Sequence, residues 1–392
     1  MRAASAIRMK QTVSRLLSHH AIRSLLFERL LLAASALLAA AALVSGRVAP
    51  REVPGLLDFR LLALFLVLTI AVELGKTSDL FDRLVAAVAA RVRTARGLAF
   101  GMVAVSGALA AVLTNDVALF LVVPFTMLFR RVADVALAPV VVLEVAAANV
   151  LGCVSPLGNP QNLFLYGRGG FTPATFFGAQ LPWCAAAALL LAAGVPLIVP
   201  AKPLAAARVE AFDVDRLQAA ACILLLAAEV LSLFGRLDHR VPLVLAAAGA
   251  ALLGRRLFDT DFSLVLVFAL LFVGVAGLER GRFYELIDPV RIFGHHARGL
   301  VLSGALLSQV VSNVPAAMML APAASGLSGF RGLLYGVSAG GCGTPVSSIA
   351  NLIGAQLFVR EGGDGRAFWR AFLPVSLALL VLLAAVALLL VS

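Results

Sequence analysis

Four short polar clusters interrupt the long apolar runs of this 392-residue chain. Two of them, at residues 114–116 and 312–313, lie near the middle of apolar runs, and two glycine- and proline-rich clusters occupy residues 152–160 and 340–345. A helix that breaks at mid-depth in a membrane frees N–H and C=O groups, which persist only where protein, water or a ligand satisfies them. Free N–H groups attract anions, whereas carbonyl, Asn, Ser and Thr oxygens suit Na⁺. The clusters therefore predict ion binding inside a membrane.

The residues of these clusters are the candidate substrate- and ion-binding groups. In chain order they are Thr114, Asn115, Asp116, Ser155, Pro156, Gly158, Asn159, Asn162, Ser312, Asn313, Gly343, Thr344, Pro345, Ser348 and Asn351. The pattern predicts two oxygen-rich cages for Na⁺, formed by Thr114, Asn115 and Ser155 and by Ser312, Asn313 and Thr344. The alternative is that Asn and Ser only cap buried helix ends while Gly permits close packing. Four clusters that recur in order favour the ion sites.

Two carboxyl groups inside apolar segments are candidates for coupling to an ion or a proton. Asp116 is the only charged residue of the run 97–129, and Glu144 lies about two turns before Gly152. An ionisable residue at membrane depth is costly and usually functional. The structural alternatives are a helix N-cap for Asp116 and a hydrogen bond to a neighbouring helix for Glu144.

The composition predicts a single all-α polytopic membrane domain. Hydrophobic residues make up 61% of the chain and charged residues only 14%, against roughly 25% charged residues in soluble domains. Apolar runs long enough to cross a bilayer recur along the whole chain. Plain spans are predicted at about 30–46, 58–75, 180–199, 217–235, 241–254, 262–278 and 371–391.

Two further kinds of segment do not fit plain spans, and each occurs twice. As one helix, residues 97–129 would be about 50 Å long, against a hydrocarbon core of about 30 Å. Arginines flank both ends of this run, so it is predicted to enter and return as a re-entrant hairpin. Residues 299–330 are its counterpart. A broken helix follows each hairpin, at 135–166 and at 333–359.

The recurrence of these elements indicates an internal repeat. An offset of 198 aligns Asn115 with Asn313, and an offset of 189 aligns Gly152 with Gly341. The predicted parts are an N-terminal tail and first transmembrane helix at 1–57, a first inverted repeat at 58–199, a connecting loop with two linker helices at 200–258, and a second inverted repeat at 259–392. The excess of Lys and Arg in alternate loops predicts a cytoplasmic N-terminus in an inner membrane.

Several other classes of protein are disfavoured. The net charge of +11 comes from Lys and Arg at the ends of apolar runs, which does not form a nucleic-acid-binding stripe. The four cysteines fit neither a zinc site nor a disulfide framework. No histidine lies inside an apolar run, so we predict neither an enzyme nor a resident cofactor.

The motifs at residues 113–124, 155–162, 308–315 and 343–345 resemble those of the ion transporter superfamily. This superfamily includes arsenite permeases, sodium–proton antiporters and divalent anion/sodium symporters. The similarity covers nearly the whole chain after about residue 55 and is nearest to the YbiR-like bacterial permeases. It implies a homodimer in which the hairpins and broken helices form a transport domain that moves as an elevator. The hairpin tips of the symporters carry Ser-Asn-Thr. Here the third tip residue is Asp116 or Val314, which favours the arsenite-permease and antiporter branch over dicarboxylate binding.

Together these observations predict a secondary active transporter that couples Na⁺ or H⁺ to movement of a small anion or oxyanion. The alternatives are a pure Na⁺/H⁺ antiporter and a passive channel.

Overall fold

The computed structural model describes residues 32–131, 136–204, 213–281 and 290–391. The predicted cytoplasmic tail, the middle of the predicted loop after residue 200 and the segment 282–289 lie outside these residues. The described chain is almost entirely helical. This architecture confirms the predicted all-α membrane fold.

The first half of the chain begins with α1 (Leu32–Val44). It continues with α2 (Phe59–Thr77), α3 (Leu80–Ala89), α4 (Ala95–Leu113), α5 (Asn115–Leu128), α6 (Ala138–Leu151), α7 (Pro160–Arg168) and α8 (Pro173–Ile198). A short helical segment, Pro50–Leu56, precedes α2 and is bent by 66° from it.

The second half repeats this order after two linking helices, α9 (Arg216–Leu233) and α10 (Arg240–Leu253). The repeated elements are α11 (Ser263–Glu279), α12 (Ala297–Val311), α13 (Asn313–Leu320), α14 (Gly326–Gly340), α15 (Ile349–Arg360) and α16 (Gly365–Leu390). Each element from α11 to α16 therefore has a counterpart between α2 and α8.

Equivalent residues of the two halves meet at the centre of the molecule. Phe65 on α2 and Phe268 on α11 stand at equivalent positions of the two halves, at an offset of 203 residues. Their ring centroids are 4.5 Å apart. A residue contacts its own counterpart only near the axis that relates the two repeats. The same offset aligns Asp58 with Asp261, and both aspartates accept a hydrogen bond from a backbone N–H at the start of their helix.

Both hairpins turn at the predicted residues. The chain leaves the helical conformation at Thr114 (φ 140°) and at Ser312 (φ 75°), two of the three positive-φ residues other than glycine in the described chain. Such backbone is strained for a residue with a side chain and persists only where the surroundings enforce it. The arms α4 and α5 pack against each other, as do α12 and α13. A continuous helix could not fold back on itself in this way.

The two predicted breaks also lie where the glycines and prolines indicate. The first break separates α6 from α7, and α7 starts at Pro160 with Asn159 as the preceding non-helical residue. Proline suits this position because the first N–H of a helix has no partner to lose. The second break separates α14, which ends at Gly340, from α15, which starts at Ile349.

Five helices of the described chain are long and apolar enough to cross a membrane alone, or six if Pro50–Leu56 and α2 together count as one bent span. The last helix starts at Gly365, six residues before the predicted span, because the side chain of Asp364 caps it by accepting a hydrogen bond from Arg366 N. Similarly, α8 starts at Pro173 because Thr172 and Thr175 form a capping box. Local capping thus extends two of the predicted spans.

Candidate functional site

A buried asparagine on α6 links one hairpin tip to the opposite repeat. Asn149 Oδ1 accepts a hydrogen bond from Asn115 Nδ2 at 3.0 Å. Its own Nδ2 donates to Asn351 Oδ1 at 2.8 Å, across 202 residues of sequence. All three side chains are buried. The first hairpin tip and the second break therefore belong to one polar network.

The same network fixes the start of α15. Ser348 Oγ donates to Asn149 Oδ1 at 2.9 Å. Asn351 Nδ2 donates to the backbone oxygens of Gly341 and Thr344 at 3.1 and 3.2 Å. The carbonyls freed by the second break are therefore partly satisfied by the amide of Asn351.

The second hairpin tip lies against the second break. Ser312 Oγ lies 3.5 Å from the carbonyl oxygen of Ser347. At Gly341, an added methyl group would meet Asn313 Nδ2 at 3.0 Å, with Asn149 Oδ1 3.9 Å away. Asn313 and Asn149 thus approach the same glycine, which places both hairpin tips around one centre.

The first break is held by its own polar side chains. Ser155 Oγ accepts a hydrogen bond from Leu157 N at 3.0 Å. Asn159 Nδ2 donates to the carbonyl of Asn149 at 3.2 Å, and Asn162 Nδ2 donates to the carbonyl of Cys153 at 3.0 Å. Pro156 and Gly158 form a buried helical turn between these residues, so the predicted residues of this segment lie together.

A glutamine of the second hairpin holds the second break. Gln309 Nε2 donates to the backbone oxygens of Gly340 and Cys342 at 2.9 and 3.1 Å, and its Oε1 accepts from Thr344 N at 2.8 Å. Thr344 Oγ1 in turn donates to the carbonyl of Gln309 at 3.0 Å. Gly343 has φ 110°, a backbone conformation that other residues rarely adopt, and an added methyl group would displace the side chain of Gln309. Pro345 follows as the first residue of a short helical turn.

These contacts change the two predicted cages. Asn115 pairs with Asn149, whereas the hydroxyl of Ser155 satisfies its own turn. The hydroxyl of Thr344 is bonded to the hairpin arm, and Ser312 Oγ lies beside the carbonyl oxygen of Ser347. The tips and breaks do converge, but Ser155 and Thr344 use their hydroxyls to hold the backbone.

Asp116 lines a cavity of about 140 Å³ between the first hairpin tip and the helices α2 and α11. Thr114, Glu73 and Lys76 also line it. Asp116 Oδ1 is buried and has no hydrogen-bond partner among the described residues. Lys76 forms an ion pair with Glu73, with Nζ 3.7 Å from Oε2. The carboxyl of Asp116 therefore faces an opening that also contains a fixed ion pair.

Glu144 is buried among the first hairpin and α6. Thr126 Oγ1 donates to its Oε1, and Ser106 Oγ donates to its backbone oxygen at 2.8 Å. Its Oε2 has no partner among the described residues. The bond to a neighbouring helix, which was the structural alternative for Glu144, is present, and one carboxyl oxygen remains available.

The comparison with known proteins agrees with this architecture. The profile of the citrate transporter family CitMHS matches residues 24–333, which is more than half of the chain. The chain belongs to this citrate transporter family. It is 32% identical to the inner membrane protein YbiR of Escherichia coli over 335 residues, which cover 82% of this chain and 85% of that protein. It is 29% identical to the uncharacterized transporter MJ0456 of Methanocaldococcus jannaschii over 259 residues, or 64% and 67% of the two chains.

A solved structure shows the same fold. The crystal structure of the Alcanivorax borkumensis YdaH transporter, described as having an unusual topology, aligns with a TM-score of 0.57 and 16% identity. The alignment covers 95% of this chain and 98% of that one. As a member of the CitMHS family, this protein is a membrane transporter of the citrate and ion permease type.

Three polar residues of the candidate site were not predicted from the sequence. Asn149 and Gln309 organise the breaks, and Gln161 is a buried residue of α7. Asn149 and Gln309 are each the lone amide side chain of an apolar helix, and Gln161 lies between Asn159 and Asn162 at the start of α7, so all three lie within a few residues of a tip or break. That position was the available signal, because an amide at membrane depth requires a partner.

Proposed function

We propose that this protein is a secondary active transporter that couples Na⁺ or H⁺ to movement of a small anion across a bacterial inner membrane. The hairpins and broken helices would move together as an elevator against α2, α9, α10 and α11. The observation that carries the proposal is the amide chain Asn115–Asn149–Asn351, which joins a hairpin tip to the break of the other repeat. Repeat interfaces with discontinuous helices are where secondary transporters bind substrate and ions.

The chemistry of the centre supports an anion held without a basic side chain. The hairpin runs 97–129 and 299–330 contain no Lys or Arg, and neither do the breaks. The half-helices α5, α7, α13 and α15 all begin near the centre. Helix N-termini carry partial positive charge and free N–H groups, which can bind a small anion. Citrate is a candidate because of the family, and oxyanions such as arsenite, phosphate and sulfate are others.

Asp116 is our candidate for proton or cation coupling. It is the only acidic residue of the two hairpin runs, and it faces the cavity beside α2. A carboxyl that loads an ion or a proton must reach water during the cycle, which the cavity permits. Glu144 is a second candidate, although its bond to Thr126 gives it a structural role as well.

The decisive experiment is counterflow in proteoliposomes. Citrate, arsenite, phosphate and sulfate are offered separately, with and without Na⁺ and with an imposed pH gradient. Asn115→Ala and Asn313→Ala are expected to abolish coupled uptake while leaving the protein folded, because each removes an amide from the centre. The control is Thr77→Val, which removes a hydroxyl bonded to Gln218 outside the hairpins and breaks. Wild-type flux in both Asn variants would contradict the proposal.

The same assay tests the alternative of a pure Na⁺/H⁺ antiporter, which the single carboxyl of Asp116 favours. Flux driven by Na⁺ and a pH gradient with no added anion would support the antiporter. With Asp116→Asn we expect a flattened pH dependence in either case, because the group that exchanges a proton is lost. An unchanged pH profile would reduce Asp116 to a structural role at the start of α5.

Two further parts of the proposal concern assembly and orientation. The resemblance to elevator transporters suggests a homodimer, and the distribution of Lys and Arg suggests a cytoplasmic N-terminus. Cross-linking of the purified protein and labelling of terminal tags from each side of the membrane test them.

A further inference from the structure

The cavity beside the first hairpin has the size of one small ring. Its volume is about 140 Å³, close to that of an engineered cavity of about 150 Å³ that binds benzene in another protein. Half of the described residues that line it are apolar, among them Val72 on α2, Phe120 on α5 and Leu264 on α11. An inorganic ion gains nothing from such walls, whereas a ring that moves from water onto them is stabilised. The walls therefore select an occupant with an apolar body.

The charged groups of the cavity favour a cation. Three carboxyl groups line it, those of Glu73, Asp116 and Asp261, against one ammonium group, that of Lys76. An anion in this space would meet an excess of negative charge, and the like charges would repel each other. The cavity therefore favours a molecule that carries a positive charge on an apolar body.

Asp116 is the carboxyl group of the cavity that is open to a new partner. Glu73 pairs with Lys76, and Asp261 Oδ1 accepts a hydrogen bond from Ser263 N at 2.7 Å. Oδ1 of Asp116 is buried and has no hydrogen-bond partner among the described residues. A buried carboxyl oxygen in this state costs free energy unless a proton or a cation compensates it. A primary ammonium group supplies both a positive charge and three N–H donors.

Two hydroxyl groups of the cavity are already used by the backbone. Thr69 Oγ1 donates to the carbonyl of Phe65 at 2.8 Å, and Thr260 Oγ1 donates to that of Arg256 at 3.2 Å. The ring of Phe120 lies in the same lining, and an aromatic ring attracts both a second ring and a cation. A charged head is therefore best placed at Asp116, with its ring along the apolar walls.

We propose that this cavity binds a hydrophobic monoamine of one ring, whose ammonium group pairs with the carboxylate of Asp116 while the ring contacts the apolar walls. Asp116 and Phe120 belong to the first hairpin, whereas Val72 and Leu264 belong to α2 and α11. An occupant that contacts both sides would hold the hairpin in place, so the amine is an inhibitor rather than a cargo. This inhibition rests on the proposed elevator movement, whereas the binding site does not.

The test is equilibrium binding of radiolabelled benzylamine to purified protein in detergent, with protein-free micelles as the background. We expect saturable binding of one molecule per chain. Unlabelled benzylamine should displace it at concentrations at least about tenfold lower than benzyl alcohol, which lacks the charge, or methylammonium, which lacks the ring. Benzoate, which has the ring but a negative charge, should not compete.

Two substitutions of charged residues should change the affinity in opposite directions. Asp116→Asn should weaken binding by about tenfold or more, because the ammonium group loses its charged partner. Lys76→Met should strengthen it by about threefold or more, because the carboxylate of Glu73 then lies unpaired in the cavity. The matched control is Asp58→Asn, because Asp58 caps the start of α2 by accepting a hydrogen bond from Leu61 N and does not line the cavity. This control should keep the wild-type affinity.

Each outcome either supports or overturns this assignment. The expected order of competitors, together with the opposite effects of Asp116→Asn and Lys76→Met, supports it. No saturable binding by folded wild-type protein, equal competition by benzyl alcohol, competition by benzoate, or an equal loss in Asp58→Asn would overturn it. Should Asp116→Asn fail to fold, the competitor series and Lys76→Met decide, since weaker binding by Lys76→Met would indicate an anion site.

Counterflow in proteoliposomes separates inhibition from binding. Saturating benzylamine should reduce wild-type counterflow by about tenfold or more. Binding without inhibition would refute the restraint of the hairpin and leave the site standing. Intact counterflow in a protein that binds no amine would refute the site and leave the proposed transporter standing.

Discussion

The substitution Asn149→Ala tests the central amide network most directly. It removes three hydrogen bonds at once, to Asn115, Ser348 and Asn351. The three partner atoms have no other bond identified in the described structure. Leaving a buried polar group unpaired costs about 1–3 kcal/mol, so for three such groups we expect a total loss of roughly 3–9 kcal/mol in stability. Water entering the vacated space would bring the loss toward the lower end of this range.

Thermal unfolding in detergent, followed by tryptophan fluorescence, measures this loss. Trp183 is buried on α8 and stacks on Tyr335 of α14, with ring centroids 6.4 Å apart, so its emission reports on packing between the repeats. A loss of this size should lower Tm by roughly 5–15 °C. The matched control is Ser106→Ala, which removes a single buried hydrogen bond to the backbone of α6 and should cost only about 1 kcal/mol.

A double-mutant cycle separates the cross-repeat bond from simple truncation. The losses of stability caused by Asn149→Ala and Asn351→Ala should be non-additive, with a coupling energy of about 1–3 kcal/mol, because both substitutions remove the same hydrogen bond. If the two effects add, or if Asn149→Ala is no more harmful than Ser106→Ala, the network does not hold the repeats together. The reasoning about the site would then be wrong.

Three other substitutions have expected outcomes from the same thermal assay. Gly158→Ala should destabilise the protein by more than about 2 kcal/mol, because the added methyl group would overlap the carbonyl of Gly152; an unchanged Tm would refute this close approach. Thr126→Val should cost about 1–3 kcal/mol by removing the donor to Glu144, and Thr126→Ser should restore most of it. Gln309→Leu should lower Tm by leaving the carbonyls of the second break unpaired. A wild-type Tm would show that the hydrogen bonds of Gln309 do not stabilise this break.

The positions of the tips and breaks were predictable because local chemistry decides them. Asn159 before Pro160 specifies a helix start, and the structure places the start of α7 there. The polar triplet that begins at Thr114 interrupts an apolar run that is too long for one span, and the helix breaks at that residue. In both cases the residues that break the helix are neighbours in sequence, so the local sequence is enough to predict where the helix breaks.

The partners of each polar side chain were harder to predict because they come from the other repeat. Asn149 lies in the apolar helix α6, and its partner Asn351 is 202 residues away. No local pattern encodes a contact of that range. The predicted cation-binding roles of Ser155 and Thr344 stay predictions, but the sequence did not indicate that their hydroxyls also bond nearby backbone. A hydroxyl beside a turn can bond nearby backbone, and this local bond competes with ligand binding.

The difference between the two hairpins bears on how such a molecule could transport. On the first hairpin Asp116, Val117 and Phe120 are partly exposed at the cavity, whereas the aligned Val314 and Met318 of the second hairpin are buried. Under the proposed transport mechanism, the first hairpin would take up packing like that of the second hairpin in the opposite state. This exchange would close the cavity over Asp116 and open the other side. The carboxyl present on only one hairpin would then make the two states chemically unequal.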